Sequence, residues 1–447
     1  MKQKYTNFQF TNDIIYPRYT THCTGITSVP ASPTMSIRHT WPVIIVRTAI
    51  IIPVFVIGCL AIVLTQLVGL FIFKNNPSSK QAVINETKTH FVILLAGLTS
   101  IINPCKFAIT IDTNSVPHGS SFNVDSSNHI HTLLQPNSVI ISNHQIYTDW
   151  LFLWFLTYTS HLSNAVYIIL KDLSKIPILG YGMKNYNFLF LSRKWEHDKV
   201  VLTNQLLEID ANARGHGPAN GYRLLSSTDK EVKKWPQGVD NSKIWPYELI
   251  LFPEGTVPSD RTTKKSAEYI ASKGLPPLKH VLLPRIRGLY LALQKLRNTV
   301  EVVYDVTTAY SGLKEDEYGE LVFSLKKFYL KGHGPPVVNY FIKGYKLKDI
   351  PLGKEELDST VEASDEDLQK FEDWLLKIWY EKDQLMDNFY KTGKWGIKDD
   401  TQTKLIVGDF KLKNHFEFLK PFIVLLTVLL LSYTFLSLGY TLTFGRK

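Results

Sequence analysis

The stretch SVIISNHQIYTDWLFLW, residues 138–154, changes character twice along its length. Its first five residues enclose a continuous apolar run, the pattern of a short strand covered on both faces. Asn143 and His144 break that run, Thr148 and Asp149 are good helix-capping residues, and an aromatic segment begins at Trp150. The stretch therefore reads as strand, turn and helix, which makes the fold α/β. His144 and Asp149 stand five positions apart, a rotation of roughly 140° on one continuous helix. A turn between them lets them face each other. Asp149 then accepts a hydrogen bond from one imidazole nitrogen and leaves the other free as a base, two-thirds of a triad whose nucleophile is a substrate hydroxyl.

That spacing alone is a weak signal, because a chain with 13 histidines shows it about once by chance. The neighbouring strands strengthen it. Between about residues 113 and 346, apolar runs alternate with longer mixed segments: VYIIL (166–170), FLFLS (188–192), LILF (249–252), VLLP (281–284) and VEVVYDV (300–306). They predict a mixed sheet flanked by helices. LILF runs into Pro253-Glu254-Gly255-Thr256, which puts a carboxylate, a flexible backbone and a hydroxyl at a strand's C-terminal edge, where α/β ligand sites form. Arg193 follows FLFLS, Arg285 follows VLLP, and Lys171 follows VYIIL. Singly, basic residues at strand ends are often only solvated. Their common placement, in a chain of net charge +10, points to a shared anion site.

Residues 211–243, rich in Gly, Asn, Ser and Lys, read as a surface insertion. From about residue 347 the character is helical: Leu368, Phe371, Leu375, Ile378 and Trp379 recur at helical spacing after a Ser-Asp-Glu-Asp start. This amphipathic helix is expected to pack on the catalytic body. Three scattered cysteines, Cys23, Cys59 and Cys105, suggest neither a zinc site nor a disulfide framework.

Two uncharged runs, Thr48 to Phe73 and Pro421 to Phe444, are long enough to cross a hydrocarbon core of roughly 30 Å as helices. A third, His90 to Ile111, is interrupted by Asn103, Pro104 and Lys106, and spanning, re-entrant and interfacial readings stay open for it. The triplet Asn85-Glu86-Thr87 is a glycosylation sequon usable only in a lumenal loop. The expected organisation is a polar tail (1–42), a membrane-embedded hairpin (43–112), a catalytic domain (113–346) carrying the insertion, an accessory helical region (347–415) and a C-terminal transmembrane anchor (416–447).

The ordered series NHQ-x-x-x-D, R-K-W-x-x-D-K, FPEGT and LLPR-x-x-G resembles the glycerophospholipid acyltransferases related to 1-acylglycerol-3-phosphate acyltransferase. The likeness covers roughly residues 138–210 and 246–390, and YDVTTAY (304–310) and FEDWLLKIWYEKDQLMDNFY (371–390) look most like the lysocardiolipin and lysophosphatidylinositol acyltransferase branch. The resemblance implies a glycerol-3-phosphate acyltransferase-like fold with His144 as general base and Asp149 as its orienting partner. It implies acceptor or phosphate contacts from Arg193, Glu254, Gly255, Thr256, Arg285 and Lys171. Glu254 cannot attract phosphate, so it is expected to orient Arg285 or a substrate hydroxyl.

The implied substrates are acyl-CoA and a lysophospholipid, with no metal and no cofactor beyond that co-substrate. The implied place is the endoplasmic reticulum membrane, as a multi-pass protein. Many members carry Arg after Glu-Gly-Thr where this chain has Val257, which favours remodelling of a phosphatidylinositol-type lipid over phosphatidic acid synthesis. A CoA-independent transacylase is a more distant rival. An inactive lipid-binding scaffold is the reading from another class. The absence of G-x-S-x-G argues against a serine lipase, and the anchors and lack of a recognised module argue against nucleic acid. The aromatics Trp150, Phe152, Trp154 and Phe155 either line an acyl path or form plain core.

Overall fold

A computed structural model describes residues 40–171, 175–191, 195–216, 245–354, 363–397 and 402–444. In chain order it begins with helices α1 (Trp41–Ile72) and α2 (Pro77–Ile102), then strands β1 (Lys106–Asp112), β2 (Asn123–Val124), β3 (Ile130–His131) and β4 (Ser138–Ser142). Next come α3 (Asp149–Thr159), β5 (Val166–Lys171), α4 (Leu179–Asn185), β6 (Leu189–Leu191), α5 (Trp195–Ala213), β7 (Glu248–Leu251), α6 (Asp260–Ser272) and α7 (Ile286–Lys295). The described chain ends with β8 (Val302–Tyr310), α8 (Gly319–Val322), β9 (Val337–Lys346), α9 (Asp365–Thr392), β10 (Thr403–Asp409) and α10 (Ile423–Phe444).

Eight strands form one sheet in the order β10-β1-β9-β8-β4-β7-β5-β6. From β8 to β6 all neighbours are parallel, while β9 runs antiparallel to β8 and β10 antiparallel to β1, so the sheet is mixed as expected. All five residues of β4 and all nine of β8 are buried, because helices cover both faces. One core contains the apolar residues of α2 and α3, the other those of α5, α7 and α9. In α3, Phe152, Trp154 and Phe155 belong to the first core, which settles them as packing.

Several boundaries differ from the sequence reading. The run 90–111 is two elements: α2 ends at Ile102, and Lys106 already starts β1. The apolar half of α2 is buried among protein, which explains hydrophobicity on every side. The sequon lies inside α2, with Asn85 and Thr87 buried, so it is not in a loop. VLLP (281–284) is irregular rather than a strand; Pro284 has no amide for a ladder, and the chain is turning into α7. The region after 347 is not purely helical, since β10 closes the sheet edge beside β1. Residues 211–213, expected to open the insertion, finish α5 as buried positions. Residues 217–243 of that insertion, most of the polar tail, and Cys23 lie outside the described residues. Cys59 and Cys105 are free and buried.

Candidate active site

The parallel strands β4, β7, β5 and β6 end on the same edge, and the segments that carry His144, Lys171 and Glu254 leave from it. At the tip of β4, Asn143 continues the ladder with its side chain. Its Nδ2 donates to the Thr308 carbonyl at 2.9 Å and its Oδ1 accepts from the Thr308 N–H at 2.8 Å. The chain then turns, and Asp149 opens α3.

The Asp149 carboxylate organises that turn. Its Oδ2 accepts from His144 Nδ1 at 2.8 Å, the Gln145 N–H at 2.5 Å and the Ile146 N–H at 3.1 Å. Its Oδ1 accepts from the Tyr310 hydroxyl, delivered by β8. Asp149 is 1% exposed, so every oxygen is satisfied without water. Burial first, and the Asp149 charge second, push the Tyr310 phenol well above its ordinary range and keep it a donor. With Nδ1 donating to Asp149, Nε2 of His144 is the nitrogen left with a free lone pair. The ring is held from the side by Phe252, stacked at 4.4 Å between centroids and 22° between planes.

Of the two partners expected for Glu254, Arg285 is not the one it meets. Glu254 is 2% exposed, and its Oε2 accepts from the backbone N–H of His144 at 3.3 Å. Among the described residues neither a hydrogen bond nor an ion pair joins it to Arg285. Burial pushes its carboxyl well above the usual range; the His144 N–H, the Lys382 charge and the nearby Trp379 indole pull the other way. The indole N–H does not complete a hydrogen bond, and Oε1 is left without a donor. Glu254 therefore supports the loop that carries the imidazole.

Arg285 caps α7, and its backbone N–H donates to the Pro253 carbonyl at 2.8 Å. Its guanidinium lies over Gly255: a Cβ there would sit 3.4 Å from Arg285 Nε. Gly255 has φ +70°, which glycine adopts without strain. Arg285 is exposed and unpaired among the described residues, the state of a cation available to an anionic ligand. Thr256, next in the chain, is half-buried, and Val257 is buried at 3% exposure. Lys171 ends β5 on the same edge, although its side chain, like the whole of Arg193, lies outside the described residues.

Sequence reasoning gave no role to Tyr310, Asn143 or Lys382. A signal for Lys382 was present: it falls on the same helical stripe as Leu375, Trp379 and Met386, where a lysine has no business unless paired. Chemically, the arrangement offers an imidazole oriented by a buried carboxylate, with the exposed Arg285 guanidinium near Gly255. It can take a proton from a bound hydroxyl and needs no nucleophile from the protein.

Comparison with known proteins agrees with that chemistry. The Acyltransferase family model matches residues 121–290. The 2-acyl-1-lysophosphatidylinositol acyltransferase of Saccharomyces cerevisiae is 43% identical over 384 residues, covering 85% of this chain and 93% of the relative. Lysophosphatidylinositol acyltransferase 10 of Caenorhabditis elegans is 30% identical over 258 residues, 57% of this chain and 53% of the relative. Lysocardiolipin acyltransferase 1 of Gallus gallus is 28% identical over 261 residues, 58% of this chain and 55% of the relative. Similarity to the yeast enzyme over 85% of the chain extends well beyond the loop that holds His144, and the chain belongs to the acyltransferase family.

Proposed function

We propose that this acyltransferase moves a fatty acyl chain from acyl-CoA to a free glycerol hydroxyl of a lysophospholipid, with lysophosphatidylinositol as the acceptor. The observation that carries the reading is the His144 imidazole, fixed through Nδ1 and open at Nε2. The hydroxyl oxygen attacks the thioester carbonyl while its proton passes to Nε2. The tetrahedral intermediate collapses, the C–S bond breaks, and the CoA thiolate leaves and is protonated from the imidazolium or solvent. The proton and charge balance closes with His144 alone, so acyl-CoA is proposed as the co-substrate, with no metal or prosthetic group. Arg285 is assigned, with Lys171 and Arg193, to phosphate on the acceptor or on CoA. The phosphatidylinositol assignment draws on the named activity of the yeast relative, and the buried Val257 is consistent with it because no cation stands at that position.

The same reading places the protein in the endoplasmic reticulum membrane. Among the described residues two helices are long and apolar enough to cross a bilayer, one of them α1 and the other containing most of α10. At ~1.5 Å per residue, the 32 residues of α1 extend about 48 Å, more than a hydrocarbon core of roughly 30 Å. The buried residues of α1 all lie in its second half, where Gly58 and Gly69 admit Leu94 and Val83 of α2. The side chains of α10 are exposed along the helix, and it carries no charged residue. Both anchors join the α2 and α3 side of the sheet, from which lipid substrates would reach His144.

The test is transfer of labelled acyl-CoA to a panel of lysolipids by membranes carrying the protein, against His144→Ala at equal expression. Transfer to lysophosphatidylinositol that disappears in the variant supports the assignment. Equal inactivity of both proteins on every acceptor, where a related enzyme works, overturns it.

A further inference from the structure

Outside α1 and α10, the exposed large apolar side chains of the described residues are unevenly placed. The helices over the second core, α5, α7 and α9, expose none. Leu321 and Leu325, on the segment that crosses from β8 to β9, are 61% and 49% exposed. The same segment buries Phe323 and Phe328 in the first core, with Val322 and Tyr329 packed against it. An exposed leucine alone means little. Place, neighbours and charge turn this pair into a surface. The crossover lies against the catalytic loop: a Cβ on Gly319 would meet the Gln145 carbonyl at 2.6 Å, and the Tyr147 hydroxyl donates to Glu320 Oε2 at 2.9 Å. It also adjoins the membrane helices. Residues 326–330 touch both α1 and α2, and Asn103 Nδ2 donates to the Phe328 carbonyl at 2.5 Å, two residues beyond Ile101, which is 68% exposed. Lys326, Lys327 and Lys331 are exposed and make no ion pair among the described residues. Glu320, held by Tyr147, is the only carboxylate between Gly319 and Lys331. Leucines bordered by unpaired lysines suit one surface in particular, an apolar layer under anionic headgroups.

We propose that the β8–β9 crossover, Gly319 to Lys331, is the surface by which the catalytic body rests on an anionic bilayer. Leu321, Leu325 and Ile101 enter the headgroup layer, and Lys326, Lys327 and Lys331 meet lipid phosphate. Because the crossover packs directly on the loop that carries His144, a lysophospholipid can offer its free hydroxyl to the base without leaving the leaflet. The inference rests on the reading of α1 and α10 as membrane helices, and it adds a contact made by the catalytic body itself.

The experiment uses the full-length protein in vesicles of phosphatidylcholine and phosphatidylserine. With Cys23→Ser, the cysteines left are the buried Cys59 and Cys105, so Leu325→Cys takes a single bimane label. Nitroxide on the phosphatidylcholine acyl chains should quench that label strongly. It should also quench a label at Leu430→Cys in α10, and leave one at Gln384→Cys on the exposed side of α9 untouched. A second arm reads acyl transfer by Lys326→Gln combined with Lys331→Gln. Transfer to long-chain lysophosphatidylinositol in the vesicles should fall roughly tenfold as two lysines lose their anionic surface. Transfer between a short-chain acyl-CoA and a short-chain lysolipid, both dissolved in water, should stay within about twofold, since no active-site contact changes. Arginine at both positions should restore the loss. An unquenched label at Leu325 beside a quenched one at Leu430 would overturn the proposal and turn the crossover toward water or a protein partner. Equal losses on dissolved and bilayer substrates, or unchanged transfer in the vesicles, would overturn the role given to the lysines. Labels unquenched at both positions would overturn the reading of α10 as an anchor as well.

Discussion

Asp149→Asn separates the charge of the carboxylate from its geometry. Three donors converge on Oδ2, and two of them, the Gln145 and Ile146 backbone N–H groups, have no other role. They can face only an oxygen. An asparagine must therefore turn its carbonyl toward the loop and its NH2 toward Tyr310, whose hydroxyl oxygen can accept where it formerly donated. Every hydrogen bond is kept, His144 keeps its tautomer, and the loss of stability should stay near ~1 kcal/mol. What disappears is the charge that stabilises the imidazolium formed as the hydroxyl gives up its proton. With charge centres about 4 Å apart and an effective dielectric near 20, the lost attraction is about 4 kcal/mol, or roughly a thousandfold in rate. Asp149→Ala, by contrast, strands two loop amides and a phenol at a buried position, at ~1–3 kcal/mol each. The assay is kcat with saturating acyl-CoA, alongside a thermal unfolding midpoint for the three proteins. Asn should be nearly as stable as wild type but roughly a thousandfold slower, whereas Ala should be both slow and unstable. An Asn variant within about fivefold of wild-type kcat would refute the electrostatic role of Asp149.

Three smaller perturbations read other parts of the same architecture. Tyr310→Phe leaves Asp149 Oδ1 without its donor; stability should fall by ~1.5–3 kcal/mol while kcat drops less than in Asp149→Asn, because the three Oδ2 bonds persist. Gly255→Ala forces a Cβ at φ +70° and within 3.4 Å of Arg285 Nε, so a strain of ~1–2 kcal/mol and a raised KM for the anionic acceptor are expected, measured by steady-state kinetics. Glu248 is fully buried with one hydrogen bond, from Ser138 at 2.5 Å, and burial pushes its carboxyl well up. The folded protein then holds a proton that the unfolded chain has released, so this group's contribution is full below its unfolded value near ~4.5 and declines as pH rises toward the raised folded value. Glu248→Gln should remove that decline, flattening the unfolding midpoint between about pH 5 and 8 relative to wild type. An unchanged slope would show that Glu248 does not hold the proton.

The residues that were legible in the sequence are those whose chemistry is local. Strand β4 and the start of α3 follow from an apolar run, a break and a cap, so the His144 to Asp149 turn can be read from a dozen residues. Glu254 was visible as a carboxylate at a strand end, yet its actual partner is a backbone amide 110 residues away in the chain, and no pattern in FPEGT announces that. Tyr310 belongs to a strand whose nine residues are all buried, Tyr304 among them, so nothing in the sequence distinguishes the phenol that meets Asp149 from one that is simply buried. The open reading of residues 90–111 has a similar origin. Hydropathy measures removal from water, and α2 and β1 are removed from water by protein, which gives the same signal as lipid.

Strand β8 shows why the sheet has to be mixed for this site to exist. Its residues alternate between the two cores: Tyr304, Val306 and Tyr310 face α2 and α3, while Val303, Asp305 and Thr307 face the side of α9. One strand therefore delivers a phenol to Asp149 on one side and a carboxylate to Lys382 on the other. A slip of one residue would exchange the two sets, placing Asp305 among the aromatics of the first core and Tyr310 against α9. Parallel pairing with β4 covers only Val302 to Val306 and stops before Tyr310. Antiparallel β9 continues the ladder, pairing every residue from Val302 with Lys346 to Tyr310 with Val338. The Asn143 side chain then ties Thr308 to the catalytic loop itself. The position of the base is thus inherited from the register of β8, and that register is held over the stretch that matters by β9, its antiparallel neighbour.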